Sequence, residues 1–247
     1  MKKLLITSVV IFSSFVFIFA SGNKESTSKR IVKIKFPTAG ASGALYSIGA
    51  LITNLWNEKL ENVNASSHAS AGGIDNLNQV ADGESQVSIA ISSNCWQSYH
   101  GTDVFYGSAN PDLRVIAGLY YNPNQVVVTK KSNINSLTDI KGKHFAVAAL
   151  GSSVEGECKN HFSAAGLEYP DDIRVEYISF SDSADLLQNG QLDGAWIMSG
   201  APAGAVTQAL SSGCKLISVE NEVIEKLKES YPWYSEVIIP AGTYPCQ

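Results

Sequence analysis

From Ile31 to Phe36 apolar residues alternate with lysines, with Val32, Ile34 and Phe36 on one side. A period of two predicts a half-buried strand. The Gly/Ser-rich run Thr38-Ala39-Gly40-Ala41-Ser42-Gly43 follows, and then a helical periodicity from Ala44 to Leu60. On that helix Trp56 shares its stripe with Leu51, Ile52, Leu55 and Leu60, so this face is expected in the core. Val63 to Ser67 reads as a second strand, followed by the loop Ser70-Ala71-Gly72-Gly73 and a helix from Ile74 to Ala81, which Gly83 ends. Val87 to Ile91 is expected as a third strand, with Ser92-Ser93-Asn94 as its loop. This β-α-β-α-β order predicts a parallel sheet with crossover helices.

About a hundred residues later the order recurs. His144 to Ala149 reads as a strand, Leu150-Gly151-Ser152-Ser153 as its loop, and Val154 to Ala165 as a helix closed by Gly166. Arg174 to Ile178, Ser179-Phe180-Ser181 and the helix Asp182 to Gln188 come next, then the strand Gly194 to Met198 and the loop Ser199-Gly200-Ala201-Pro202. The fold class expected is therefore α/β, with two similar lobes of parallel-type sheets joined by a crossing hinge. Residues 31–120 would form the first lobe and 121–239 the second. Leu113 to Leu119 and Gln125 to Thr129, apolar and β-rich around Tyr120-Tyr121-Asn122-Pro123, would make the crossing. Ser136 to Gly142 reads as a short helical turn into the second lobe.

The N-terminus changes the picture. Lys2 and Lys3 precede an uncharged apolar run from Leu4 to Ala20, and Ser21-Gly22-Asn23-Lys24-Glu25-Ser26 turns polar. That is the layout of a secretory signal peptide over residues 1–22, with a polar linker at 23–30. A retained membrane anchor is the competing reading, since the run approaches the ~20 residues that span a bilayer. Export to the periplasm follows from the first reading. Ser21 stands where a lipoprotein would carry its lipidated cysteine, so a lipid anchor is not expected.

Composition excludes some classes. With 45% hydrophobic and 17% charged residues the chain is an ordinary globular protein. A net charge of −5 argues against a nucleic-acid partner, which selects basic surfaces. Cys95, Cys158, Cys214 and Cys246 are irregularly spaced and read as free thiols, mostly buried. Catalytic motifs fail: Gly40-Ala41-Ser42-Gly43-Ala44 falls one glycine short of the G-x-S-x-G elbow, and no phosphate loop or dinucleotide fingerprint occurs. Cys158 and His161 sit one helical turn apart, but two ligands do not make a zinc site. No enzyme activity, metal or cofactor is expected.

Chemistry is expected beyond the carboxyl ends of the strands, where open parallel sheets bind ligands. All six loops there are small and polar. Small residues let backbone N–H groups approach a ligand, and each following helix aims its positive end at the same place. Such loops also serve merely to turn the chain and cap a helix. A single loop favours that reading, whereas six in two matched sets favour a site. The candidates are Gly40, Ser42, Gly43, Ala44 and Tyr46, with Ser92, Ser93 and Asn94, from the first lobe. Gly151, Ser152, Ser153 and Val154, with Gly200, Ala201 and Pro202, come from the second. The expected partner is a small anionic solute.

These segments together resemble the TAXI family, the solute receptors of one branch of the TRAP transporters. The family's T-G-G-T-G-G-T-Y-Y-P-L-G loop is similar to Thr38 to Gly49, and its glycine pair before N-L to Ala71-Gly72-Gly73-Ile74-Asp75-Asn76-Leu77. Its G-x-G-T-E stretch is similar to Gly151 to Glu155, and S-G-x-P-x-A-A to Ser199 to Ala205. The ending Ile238-Ile239-Pro240-Ala241-Gly242-Thr243-Tyr244-Pro245 also matches. Ala39 and Ser42 replace family glycines, Ala44 and Leu45 a threonine and a tyrosine, and Asn94 a frequent aspartate.

The resemblance implies a type II periplasmic-binding-protein fold that closes on glutamate, glutamine or a related dicarboxylate and hands it to TRAP-type membrane permease subunits. It also implies that residues 240–247 begin a return crossover whose continuation, present in relatives, would complete the first lobe. The C-terminal part is thus expected to be missing, leaving apolar surface exposed. An ABC-type receptor for a sulfonate or similar anion and a sensory ligand-binding protein share the implied fold. An enzyme with Cys95 as nucleophile is a remoter reading, for the sequence places no base near that residue.

Overall fold

The computed structural model describes residues 30–41 and 44–245. The expected signal peptide and linker up to Lys29, including Ser21, and residues Ser42, Gly43 and Cys246 lie outside the described residues.

The lysine-alternating run forms β1 (Val32–Pro37), which pairs in parallel with β2 (Val63–His68), Val32 opposite Val63. Helix α1 (Ala44–Lys59) crosses between them. Gly49 lets it sit down: a Cβ there would lie 2.2 Å from Thr38 Cγ2. Next comes α2 (Gly73–Ala81), where the buried Asn76 donates to the carbonyls of Thr38 at 2.7 Å and Ile89 at 2.6 Å. Residues 87–91, expected as a third strand, join no ladder. Gln86 accepts from Lys35 N at 2.9 Å and Ile89 is held by the Asn76 side chain, so side chains fill the place of ladder bonds. The loop expected at Ser92-Ser93-Asn94 is instead the first turn of α3 (Ser92–His100).

Leu113 to Leu119 is likewise in no strand, and Val115, Ile116 and Leu119 are exposed. Beyond it β3 (Asn124–Thr129) enters a five-stranded sheet. The other members are β4 (His144–Ala146), β5 (Arg174–Glu176), β6 (Gly194–Met198) and β7 (Cys214–Ile217). Their order is β5-β4-β6-β3-β7. β4, β5 and β6 run parallel as expected, but β3 is antiparallel to β6 and β7, so this sheet is mixed. The crossing segment delivers β3 from the opposite end, and a strand entering that way can only pair antiparallel.

Helices cover both faces of this sheet. Val126, Val128, Phe145, Val147 and Trp196 face α4 (Ser153–Ala164) and α7 (Asn221–Ser230) through Cys158, Phe162, Val223 and Leu227. The alternate residues Val127, Ala146, Ala195 and Ile197 face α5 (Phe180–Gln188) and α6 (Gly204–Ser211) through Leu187, Val206 and Leu210. This period-two division is what a strand buried on both faces requires. The sequence reading did not foresee α6, β7 or α7. Residues 31–247 gather into one compact unit, and no helix of the described residues is long and apolar enough to cross a membrane.

The face of α1 expected in the core is not there. Gly49 and Thr53 are its buried residues, whereas Leu51 and Leu55 are exposed; Trp56 is half-buried and stacks on Phe36 at 5.6 Å. Periodicity reports that a stripe is apolar, not whether anything packs against it.

Candidate functional site

The helix N-termini differ in how their first-turn N–H groups are used. On α4 the Ser152 hydroxyl accepts from Glu155 N at 3.2 Å, while the Glu155 carboxylate accepts from Gly151 N at 2.5 Å. Tyr169 then donates to Glu155 at 2.9 Å. On α5 the Ser179 hydroxyl accepts from Asp182 N at 3.2 Å. In both places the small polar loop caps its own helix, the simpler of the two readings of such loops. By contrast α2, α3 and α6 carry no side-chain cap, and the first turns of α3 and α6 hold no acidic residue. The positive end of α3 is therefore left without a carboxylate of its own.

That end of α3 meets two others. Ser153 Oγ donates to Asn94 Oδ1 at 2.5 Å, joining α4 to α3. A Cβ on Gly73 would lie 3.0 Å from Ser153 Oγ and 3.2 Å from Asn94 Oδ1, so α2 arrives at the same point. Only a glycine lets its backbone come this close. Ser93, Asn94, Ser153 and Gly73 are all buried. Asn94 Nδ2 is oriented by Gln97 at 3.0 Å, and Gln97 in turn by Asp103 at 3.0 Å. Three helix N-termini thus converge on a cluster of one amide and one hydroxyl, beside Ser93 and without a lysine or arginine in its bonding network.

The other candidates distribute around it. Gly151 and Ser152 flank the cluster but are committed to Glu155. Val154 is half-buried in the first turn of α4 and packs toward the core. Gly40, Ala44, Ala201 and Pro202 are exposed, and Tyr46 is half-buried in the first turn of α1. Ser92 is exposed at the start of α3. Gly200 lies under Tyr120, where an added Cβ would be 3.2 Å from the ring. The loop 199–203 is pinned at both ends: Gln125 donates to Ser199 O at 2.7 Å, and Tyr244 accepts from Ala203 N at 3.0 Å while bonding Gln125.

Sequence reasoning placed Gly73 in one of the six small polar loops without singling it out, and missed Tyr120 and Glu157 as parts of this region. A glycine opening a helix signals close approach, which could have singled out Gly73; nothing in the pattern singles out the other two. A large cavity of about 1730 Å³ adjoins the cluster. Phe36, Trp56, Ile116, Tyr121 and Ile238 help to line it, and it reaches the surroundings of the cluster through Ser93, Tyr120, Asn124, Glu157 and Tyr234. Gly73, Asn94 and Ser153 themselves are not among its lining residues. Cys95, on the same helix, has its thiol pushed up by burial, against the activation a nucleophile needs. Cys158 and Cys214 are free and buried as expected, and His161 packs between Trp196 and Tyr234.

Two helix-flanked sheets joined by an extended crossing, with helix N-termini converging between them, define the fold of the periplasmic solute-binding proteins. The alkanesulfonate-binding protein SsuA of Xanthomonas axonopodis pv. citri bound to MOPS superposes with a TM-score of 0.53 at 17% identity, over 76% of this chain and 61% of that one. An ancestral arginine-binding protein bound to arginine gives 0.53 at 18%, over 80% and 91%. GshT of Streptococcus mutans, described in glutathione import, gives 0.52 at 13%, over 77% of each. The chain thus spans about three-fifths of the length of the sulfonate-binding protein. It belongs to the NMT1-like family, whose pattern it matches over residues 36–247.

Proposed function

We propose that this chain is an extracytoplasmic receptor that binds a small carboxylate, of the glutamate, glutamine or dicarboxylate kind, between two lobes and delivers it to a TRAP-type permease. The observation that carries this reading is the Asn94–Ser153 hydrogen bond at the meeting of α2, α3 and α4. It joins residues of the two expected lobes at a point where backbone N–H groups, an amide and hydroxyls face inward. Donors of that kind suit an anion, which gains charge-assisted hydrogen bonds without a fixed cation. Opening and closing about residues 119–124 would admit and hold the solute, with no covalent step. Loop 199–203, with Tyr120 over Gly200, would supply a second wall. The TAXI-like segments support the carboxylate and the TRAP partner, and export follows from the leader-like N-terminus.

A sulfonate is the second reading, because the same donors serve a tetrahedral oxyanion and no residue of the cluster selects a planar one. Titration of the purified chain with L-glutamate, L-glutamine, 2-oxoglutarate, succinate and taurine, followed by calorimetry and thermal unfolding, decides between them. One carboxylate at about a hundred times its Kd should stabilise the chain by about 2.7 kcal/mol. Stabilisation by taurine alone would establish the sulfonate reading. A folded chain that responds to none of the five would remove the anion-receptor reading.

A further inference from the structure

Glu157 lies one helical turn beyond Ser153 on α4 and is 5% exposed. Its carboxyl receives the Ser93 hydroxyl of α3 at 3.1 Å and the Tyr234 hydroxyl at 2.6 Å. The Asn124 side chain, at the start of β3, bonds it as well. Trp196 Nε1 occupies Asn124 Oδ1 at 2.7 Å, which turns the amide nitrogen of Asn124 toward the carboxyl. One side chain therefore ties together α3, the end of the crossing segment and the stretch after α7.

Among the described residues, the titratable groups around it supply no cation. On α4 itself, burial holds His161 down to about 4, so its ring is neutral, and the Cys158 thiol is pushed well up. From α3 comes Cys95, its thiol also raised by burial. From the stretch after α7 come Tyr231 and Tyr234, and burial raises the Tyr234 phenol. β3 contributes only Asn124.

We infer that Glu157 is a positioning residue of the cleft: by holding Ser93 it sets the register in which the neighbouring Asn94 meets Ser153. The inference rests on the receptor reading only in taking that meeting point as the solute site. A buried carboxyl without a cation is costly when ionised, and burial raises Glu157 above the usual carboxylate range despite its three donors. Separation of α3 from α4 would admit water, so the carboxyl returns toward its ordinary value. The closed junction then holds a proton that the open one releases. Closure is fully supported below the ordinary carboxylate value and weakens as pH rises through the raised one.

The test uses the full chain as wild type, Glu157→Gln and Glu157→Ala. Trp96 of α3 packs on Trp233 at 5.3 Å beside Tyr234, so tryptophan fluorescence reports this junction. Hydrogen exchange of the amides following Ser93, corrected for intrinsic rate and followed from about pH 5 to about pH 8, gives a second readout. The wild type should open with rising pH along a one-proton curve. Glu157→Gln, which bonds the same hydroxyls but cannot ionise, should stay closed throughout. Glu157→Ala should exchange about tenfold faster than Glu157→Gln at every pH, the ratio for roughly 1.4 kcal/mol. If the alanine variant does not fold, the wild type and glutamine variant decide the matter. Identical pH profiles for these two would overturn the inference. Titration of both with L-glutamate and taurine separates the two claims. Binding with identical pH profiles leaves the receptor reading and removes the role of Glu157. A Glu157-dependent profile without binding of either anion leaves the junction and removes the receptor reading.

Discussion

Asn76 holds the first sheet's surroundings together with a single amide. Its Nδ2 donates to Thr38 O and Ile89 O, linking the end of β1 to the segment that takes the place of a third strand. It is wholly buried, and truncation would leave both carbonyls without their donor. Asn76→Ala should therefore lower stability by about 1–3 kcal/mol, measured by urea unfolding. Asn94 and Ser153 differ from it in kind. They satisfy one another across a junction, and an incoming anion would replace a bond that each already makes. Nothing in the residue types distinguishes the two asparagines. Asn76 bonds main-chain carbonyls fixed on either side of it, whereas Asn94 bonds a side chain from a distant helix, and only the path of the chain shows this.

Among the elements, α1 and β1 meet through Gly49, whose missing side chain is the space that Thr38 Cγ2 fills. An alanine there overlaps a methyl group held by a buried residue, and the helix must lift off the sheet. Gly49→Ala should cost about 1–3 kcal/mol, the usual range for overpacking. Circular dichroism during thermal unfolding would show it as a lower Tm. The opposite face of α1, with Leu51 and Leu55 exposed, follows the same helical period as a core face. Capping also divides the helices. The sequence suggested six equivalent loops, but Ser152 and Ser179 spend their hydroxyls on their own helices. The N-terminus of α3 has no such cap, and its first turn, read as a loop in the sequence, contributes Ser93 and Asn94 to the junction.

Across the whole molecule, acid stability should reflect His161. Its ring is buried against Trp196 and Tyr234, its Nδ1 lies 2.7 Å from Glu157 O, and burial holds it down to about 4. The unfolded chain takes up this proton near the ordinary histidine value, about 6.5, and the folded chain only near 4. The contribution of His161 is complete above the ordinary value and is lost as pH falls toward 4. The loss approaches roughly 3 kcal/mol. Glu157 acts with the opposite sign, favouring the folded junction when protonated. Urea unfolding from about pH 4 to about pH 7 in the Glu157→Gln background isolates the histidine, and His161→Asn should flatten that slope.

Much of the architecture was written in local pattern. Strand β6 lies where its short apolar run placed it, and α1, α2, α4 and β2 agree within a residue or two. Hydrophobic period, helix caps and glycine stops are properties of neighbouring residues, so they can be read before folding. The direction of β3, the unpaired 87–91 segment and the exposed stripe of α1 depend on what the rest of the chain brings alongside. Small polar loops likewise marked the region of the candidate site but not its centre. The approach of Gly73, Asn94 and Ser153 depends on three helices converging, and Glu157, on an otherwise ordinary helix, gains its role from Ser93, Asn124 and Tyr234. Local periodicity specifies which face of an element is apolar; contact between residues about sixty positions apart specifies which polar groups meet.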